Sequence, residues 1–160
     1  MKKLSQLSRS IAGSVAIITG AASGMGRATA HLFADEGARL GILDINGEGL
    51  EAVAGEIRSI GGEVLALTAD LSSRDAVERA VLAVAAHFGA IDILVNNAGL
   101  QKDAPFTEMT LDQWNFVLSV NLTGQFLCAR EAIKEFLKRG VNGKSKSAGK
   151  IICMSSVHEV

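Results

Sequence analysis

The sequence predicts an α/β fold, a doubly wound parallel sheet with five strands in the order 3-2-1-4-5. Three observations predict it. Short apolar runs alternate five times with stretches of helical periodicity, the pattern of a parallel sheet with right-handed crossovers. The first run passes through a Gly-rich turn directly into a helix, and a single Asp closes the second run. That order of parts belongs to a nucleotide-binding βαβ unit.

The elements follow in order. Val15-Ala16-Ile17-Ile18 reads as a buried strand. The turn is Thr19-Gly20-Ala21-Ala22-Ser23-Gly24-Met25-Gly26, and apolar residues at Met25, Ala28, Leu32 and Phe33 mark the helix it opens. Arg39 to Leu43 is the second strand and Asp44 follows it. Leu50, Val53, Ala54, Ile57 and Ile60 give the second helix its apolar face, and Val64 to Leu67 is the third strand. Ser72 is the expected cap of the third helix, with Asp75 three residues on and a face of Ala76, Val77, Ala80, Val81, Val84 and Phe88. Ile91 to Val95 is the fourth strand. Thr110-Leu111-Asp112-Gln113 is a capping-box pattern. It opens one long helix to about Arg139, with an expected buried stripe of Trp114, Val117, Leu118, Leu122, Phe126, Ala129, Ile133 and Phe136. Gly140 to Gly149 reads as a flexible surface loop, and Lys150 to Met154 as the fifth strand. All of this fits one domain over residues 1–160.

Composition narrows the function classes. The chain has 160 residues, 48% of them hydrophobic, and a formal net charge of −1. That balance gives no reason to expect nucleic acid or an anionic membrane as partner. Lys2 and Lys3 precede polar residues, where a signal peptide has its apolar core. A cytoplasmic location is the expectation. Cys128 and Cys153 read as buried thiols in a reducing compartment. His31, His87 and His158 are scattered, so no metal site is expected.

The Gly-rich turn carries the chemistry. The first amides of a helix have no intrahelical partner, and the helix dipole is positive there, so a strand, a Gly-rich turn and a helix start make an anion site. Gly20 permits the tight turn, while Gly24 and Gly26 allow close approach. Asp44 lies 18 residues after Gly26, where a carboxylate reaches the ribose hydroxyls of an adenine dinucleotide. The bland reading of Asp44 is a cap for the helix starting near Gly47. Asn121 is polar inside the long helix's apolar stripe. It either bonds nearby backbone or holds a water near a reacting group.

Taken together, these residues resemble the classical short-chain dehydrogenase/reductase family. The resemblance rests on Thr19 to Gly26, Asn96-Asn97-Ala98-Gly99, Asn121 in Val120-Asn121-Leu122-Thr123-Gly124, and Met154-Ser155-Ser156, in the family's order over nearly the whole chain. It implies a Rossmann-type fold with the pyrophosphate of NAD on Gly20, Ser23, Gly24, Met25 and Gly26. It further implies adenosine ribose on Asp44, and adenine along Asp70 and Leu71. Asn97, Ala98 and Gly99 would line the cofactor cleft. Asn121 would match the active-site asparagine at a helix kink that holds a relay water, and Ser156 the catalytic serine. NADP is the less expected cofactor.

The segment from Met154, with Asn121 to Gly124 and Arg130 to Lys134, is most similar to the glucose 1-dehydrogenase branch. A secondary alcohol, such as a sugar, is the implied substrate, and a homodimer or homotetramer the implied assembly. His158 and Glu159 stand where a substrate loop would begin, or are ordinary loop residues. The family uses a Tyr and a Lys shortly after the catalytic Ser, and this chain contains no Tyr. The chain is therefore expected to be a piece of a longer protein, lacking its C-terminal part and inactive alone. The alternatives are a pseudoenzyme that binds dinucleotide without chemistry, and a Rossmann-like methyltransferase.

Overall fold

The computed structural model describes residues 10–141 and 147–156. Lys2, Lys3, the middle of the Gly140–Gly149 loop, His158 and Glu159 lie outside the described residues. Five strands run parallel: β1 (Val15–Thr19), β2 (Arg39–Asp44), β3 (Val64–Thr68), β4 (Ile93–Asn96) and β5 (Lys150–Cys153). They pair in the order β3-β2-β1-β4-β5, as the sequence predicts. The helices are α1 (Gly24–Asp35), α2 (Gly47–Ser59), α3 (Arg74–Phe88), α4 (Leu111–Leu118) and α5 (Gln125–Arg139).

Alternation along β1 divides the core in two, because successive strand side chains point to opposite faces. Ala16 and Ile18 pack with Ala30 of α1 and with Leu50, Val53 and Ile57 of α2. Val15 and Ile17 pack with Val77, Val81 and Val84 of α3 and with Leu127, Ala132 and Phe136 of α5. Every residue of β1 is buried, as a strand covered on both faces requires. β5, at the edge, is exposed along its length.

Several expectations are corrected. The buried face of α1 is Gly26 and Ala30, while Met25, Ala28 and Leu32 are exposed. Small residues let this helix lie close to the sheet. A Cβ on Gly26 would stand 2.0 Å from the Gly20 carbonyl oxygen. Ile60 ends α2 as its exposed C-cap. Ser73, one residue later than expected, caps α3 by accepting from the Ala76 amide. Ser72 instead bonds Asp70. Ile91 and Asp92 precede β4, and the Asp92 carboxylate accepts from the Val15 amide at 2.8 Å.

The long helix is not one α-helix. α4 and α5 are joined by a π-helical segment, Ser119–Gly124. The wider turn rotates the faces on either side out of register. The expected stripe is broken: Trp114, Leu122, Phe126 and Ile133 are exposed. The buried face of α5 is Leu127, Cys128, Glu131, Ala132 and Phe136. Of the two cysteines, Cys128 is buried and Cys153 is exposed on β5. Burial pushes the Cys128 thiol up to about 12.

Candidate functional site

The strand order reverses between β1 and β4, and that is where a doubly wound sheet opens a crevice at its carboxyl edge. A cleft of about 500 Å³ lies there. Its floor is organised by Thr19, the last residue of β1, which is 1% exposed. The Thr19 hydroxyl accepts from the amides of Asn97 and Ala98, both at 3.0 Å, and donates to the Val95 carbonyl at 3.4 Å. The Asn97 side-chain amide donates back to the carbonyls of Thr19 (3.0 Å) and Gly20 (3.3 Å). Two strand ends are thereby fixed against each other. The fit is close: a Cβ on Gly20 would stand 2.7 Å from Ala98 Cα, and Gly20 sits at φ +67°. The buried hydroxyl of Thr19 demands partners, and that is the signal sequence reasoning passed over.

Helix α1 points its amino end into this cleft through Ser23, Gly24 and Met25, all of which line it. Ser23, the N-cap, makes no side-chain cap bond, and the first turn holds no acid. A Cβ on Gly24 would meet nothing within 4 Å. The helix therefore offers a polarised, uncovered set of amides to the cleft. Gly26 does not line it and acts as the close contact between helix and turn.

Asp44 ends β2 at the cleft. One carboxylate oxygen accepts from the Ala22 amide (3.0 Å) and the other from the Asn46 amide (2.9 Å). Asn46, not Asp44, caps α2 by accepting from Gly49, so the bland reading of Asp44 falls. Asp70 lines the cleft beyond it, accepting from Ser72. Leu71 beside it is 8% exposed. Asp44 and Asp70 are the only charged side chains among the described lining residues. Asn97, Ala98 and Gly99 form the opposite wall. Ile45, Leu100, Phe116 and Val120 also line the cleft; sequence reasoning assigned none of them this role, because apolar residues outside a periodic face carry no pattern.

Asn121 takes its backbone reading as far as contacts go. Its side-chain oxygen accepts from the Leu100 amide and its nitrogen donates to the Leu100 carbonyl, both at 2.9 Å. This two-way bond clips the loop after β4 to the π-helical segment. A second asparagine, Asn96, is 1% exposed and donates to the Gln125 carbonyl at 3.3 Å, at the start of α5. Its side-chain oxygen is buried without a hydrogen-bond partner among the described residues. The kink is thus held from two sides of the β4 terminus. Ser156 lies exposed, three residues past β5. β4 and β5 pair in register Asn96↔Cys153, so Ser156 follows β5 at the same sheet edge as Asn97 to Gly99. Neither Ser156 nor Asn121 lines the cleft itself. Among the described residues no three His, Cys, Asp or Glu side chains group to hold a metal. No helix there is long and apolar enough to cross a membrane.

The dinucleotide expected from the sequence fits this donor set. The amides of α1 suit a diphosphate, and Asp44 suits ribose hydroxyls. Comparison with known proteins agrees on kind. Residues 14–160 match the short chain dehydrogenase family. The chain is 42% identical over 140 residues to a D-threitol dehydrogenase of Mycolicibacterium smegmatis, covering 85% of this chain and 54% of that protein. It is 39% identical over 144 residues to a 2,5-dichloro-2,5-cyclohexadiene-1,4-diol dehydrogenase of Sphingobium indicum, covering 90% and 57%. A crystal structure of a Brucella melitensis 3-ketoacyl-(acyl-carrier-protein) reductase complexed with NADH superposes with a TM-score of 0.78 at 40% identity. It covers 85% of this chain and 55% of that one. The chain spans about half the length of these relatives.

Proposed function

The chain belongs to the short chain dehydrogenase family, and from that premise we propose that it binds NAD in the β1/β4 cleft and serves hydride transfer between a secondary alcohol and the nicotinamide. The methyltransferase alternative falls with the family. The observation that carries the proposal is the open amino end of α1, with the Asp44 carboxylate held beside it. The family, the sheet order and a relative crystallised with NADH support the cofactor class.

The choice of NAD over NADP rests on Asp44. Two like charges about 5 Å apart repel by roughly 3 kcal/mol at an effective dielectric near 20, which is on the order of a hundredfold in affinity. No cation among the lining residues offsets this. The first basic residue of α1, Arg27, turns onto Glu56 at 2.7 Å instead.

Within the proposal each residue has a task. Gly20, Ser23, Gly24 and Met25 hold the diphosphate by backbone amides, with Gly26 keeping turn and helix in contact. Asp44 accepts from ribose hydroxyls, and Asp70 and Leu71 lie along the base. Asn97, Ala98 and Gly99 wall the nicotinamide side. When bound, the nicotinamide supplies the hydride acceptor. Ser156 donates a hydrogen bond to the reacting oxygen, acting mostly in the transition state. Asn121 holds the kinked helix in the position the relay water requires. The chain contains no Tyr, so the 160 residues alone are expected to bind NADH without turnover, since neither Ser156 nor Asn121 replaces that proton acceptor. The names of the D-threitol and cyclohexadiene-diol dehydrogenases support a substrate with more than one hydroxyl; a sugar is one such compound. The exposed apolar side chains of Leu111 and Trp114 on α4, Leu122 in the π-helical segment, and Phe126, Ile133 and Leu137 on α5 support self-association as a homodimer or homotetramer.

Fluorescence titration with NADH and with NADPH tests the proposal. NADH is expected to bind about a hundredfold more tightly, and Asp44→Ala to narrow the gap. Equal affinities would overturn the cofactor choice, and binding of neither would overturn the reading.

A further inference from the structure

We infer that Phe116 is an adenine-binding residue, its ring forming a stacking wall at the base end of the cleft. The inference rests on the dinucleotide reading above and names a contact that reading does not contain. Phe116 is 52% exposed, yet it lines the cleft. Val120, four residues on, lines it too, so one face of α4 and the π-helical segment is turned inward. Farther along, Gly124 abuts the turn after β3. A Cβ placed there would stand 3.1 Å from Leu71 Cβ and 3.2 Å from the Leu71 carbonyl. That contact sets this helix face beside Asp70 and Leu71.

Asp44 and Ile45 reach the same end, because β2 and β3 are neighbours in register Asp44↔Thr68. The diphosphate end is defined separately, by the amides of α1. The remaining end is lined by the apolar side chains of Ile45, Leu71, Val120 and Phe116 beside the carboxylates of Asp44 and Asp70, with no cation among the lining residues. Such a lining recognises a base by its face, and a Phe ring stacks on a purine where an aliphatic chain only covers it. Simple helix exposure does not account for the arrangement. Leu111 and Trp114 on α4 are 71% and 50% exposed, and neither lines the cleft.

The experiment is calorimetric titration of the chain with NADH and with ADP-ribose, which keeps the adenine end and lacks nicotinamide. Phe116→Ala is expected to weaken both ligands by about tenfold. Phe116→Tyr, which keeps the ring face, should hold wild-type affinity, and melting midpoints check that both variants fold. Unchanged ADP-ribose affinity in Phe116→Ala would overturn the inference and leave the cofactor reading standing. A loss for NADH alone would place the ring at the other end and overturn it equally. A loss shared by Phe116→Tyr would show that the ring face is not what matters. A wild-type chain that binds neither ligand would remove the cofactor reading and this inference with it.

Discussion

The amino ends of α1 and α4 face the same physical problem and solve it in opposite ways. Each helix start leaves amide groups without intrahelical partners. At α4 the Thr110 hydroxyl accepts from the Gln113 amide at 3.2 Å, and the Gln113 side chain accepts from the Thr110 amide at 2.9 Å. Asp112 adds a favourable charge in the first turn. α2 and α3 are likewise capped, by Asn46 and Ser73. At α1 the Ser23 side chain stands at the cap position and makes no cap bond, and the first turn holds no acid. The sealed ends serve the fold. The open end leaves its polarity available to a ligand in the cleft, at some cost in intrinsic stability.

The contrast breaks most severely at Gly26. In Gly26→Ala the added carbon meets the Gly20 carbonyl at 2.0 Å and the Asn97 side-chain nitrogen at 2.6 Å. The turn must move off α1, so NADH binding is expected to vanish in a titration. Chemical denaturation should show a stability loss of about 3 kcal/mol. Retained binding would mean that the contact between turn and helix is dispensable.

A smaller effect sharpens the comparison. Thr110→Ala is expected to lower stability by about 1 kcal/mol and leave NADH affinity unchanged. Ser23→Ala should change stability by less than about 0.5 kcal/mol, because no cap bond is lost. Urea denaturation of the two variants side by side checks this. Equal losses would show that Ser23 caps its helix after all.

A buried carboxylate on α5 makes stability depend on pH. Glu131 on α5 is 4% exposed. Hydrogen bonds from Lys134 first and Arg130 next hold its carboxyl below the usual carboxylate range, against the opposing effect of burial. A depressed folded-state value contributes stability that is present above the ordinary Glu pKa and lost as pH falls through the folded value. Thermal melts across the acid range should therefore show a shallower acid-side loss in Glu131→Gln than in wild type. Asp44, by contrast, is held by two neutral amides, which leaves its charge uncompensated for selecting a cofactor.

The sequence made the Gly-rich turn and the position of Asp44 legible, because each depends on local chemistry within one βαβ unit, and the sheet order legible because the alternation of strands and helices narrows the topology to a doubly wound sheet. It failed where one element is set by another. Met25 and Leu32 fit the helical period of α1, yet Gly26 and Ala30 face the sheet. The reason is that close approach to β1 admits only small side chains. The stripe from Trp114 to Phe136 assumed a constant 3.6-residue period, and the π-helical segment at Ser119–Gly124 breaks that period. Asn121 stood out by its polarity, and the family resemblance implied a kink there, but its partner, Leu100, comes from a distant loop. Phe116 left no signal, since the cleft it lines exists only after β3, β4 and α4 come together.

The central claim is that the open amino end of α1 is reserved for the anionic part of a dinucleotide. Ser23→Asp tests it most directly, because it drives stability and binding in opposite directions. An Asp at this position can cap the free amides and interact favourably with the helix dipole, so the chain should be stabilised by about 0.5–1 kcal/mol. The same charge should repel the diphosphate and weaken NADH binding by at least about tenfold. Denaturation and NADH titration of this one variant give both readings. Higher stability with lost affinity is the predicted result. Higher stability with unchanged NADH affinity would contradict the claim, because the amides of α1 would then be shown not to serve the cofactor.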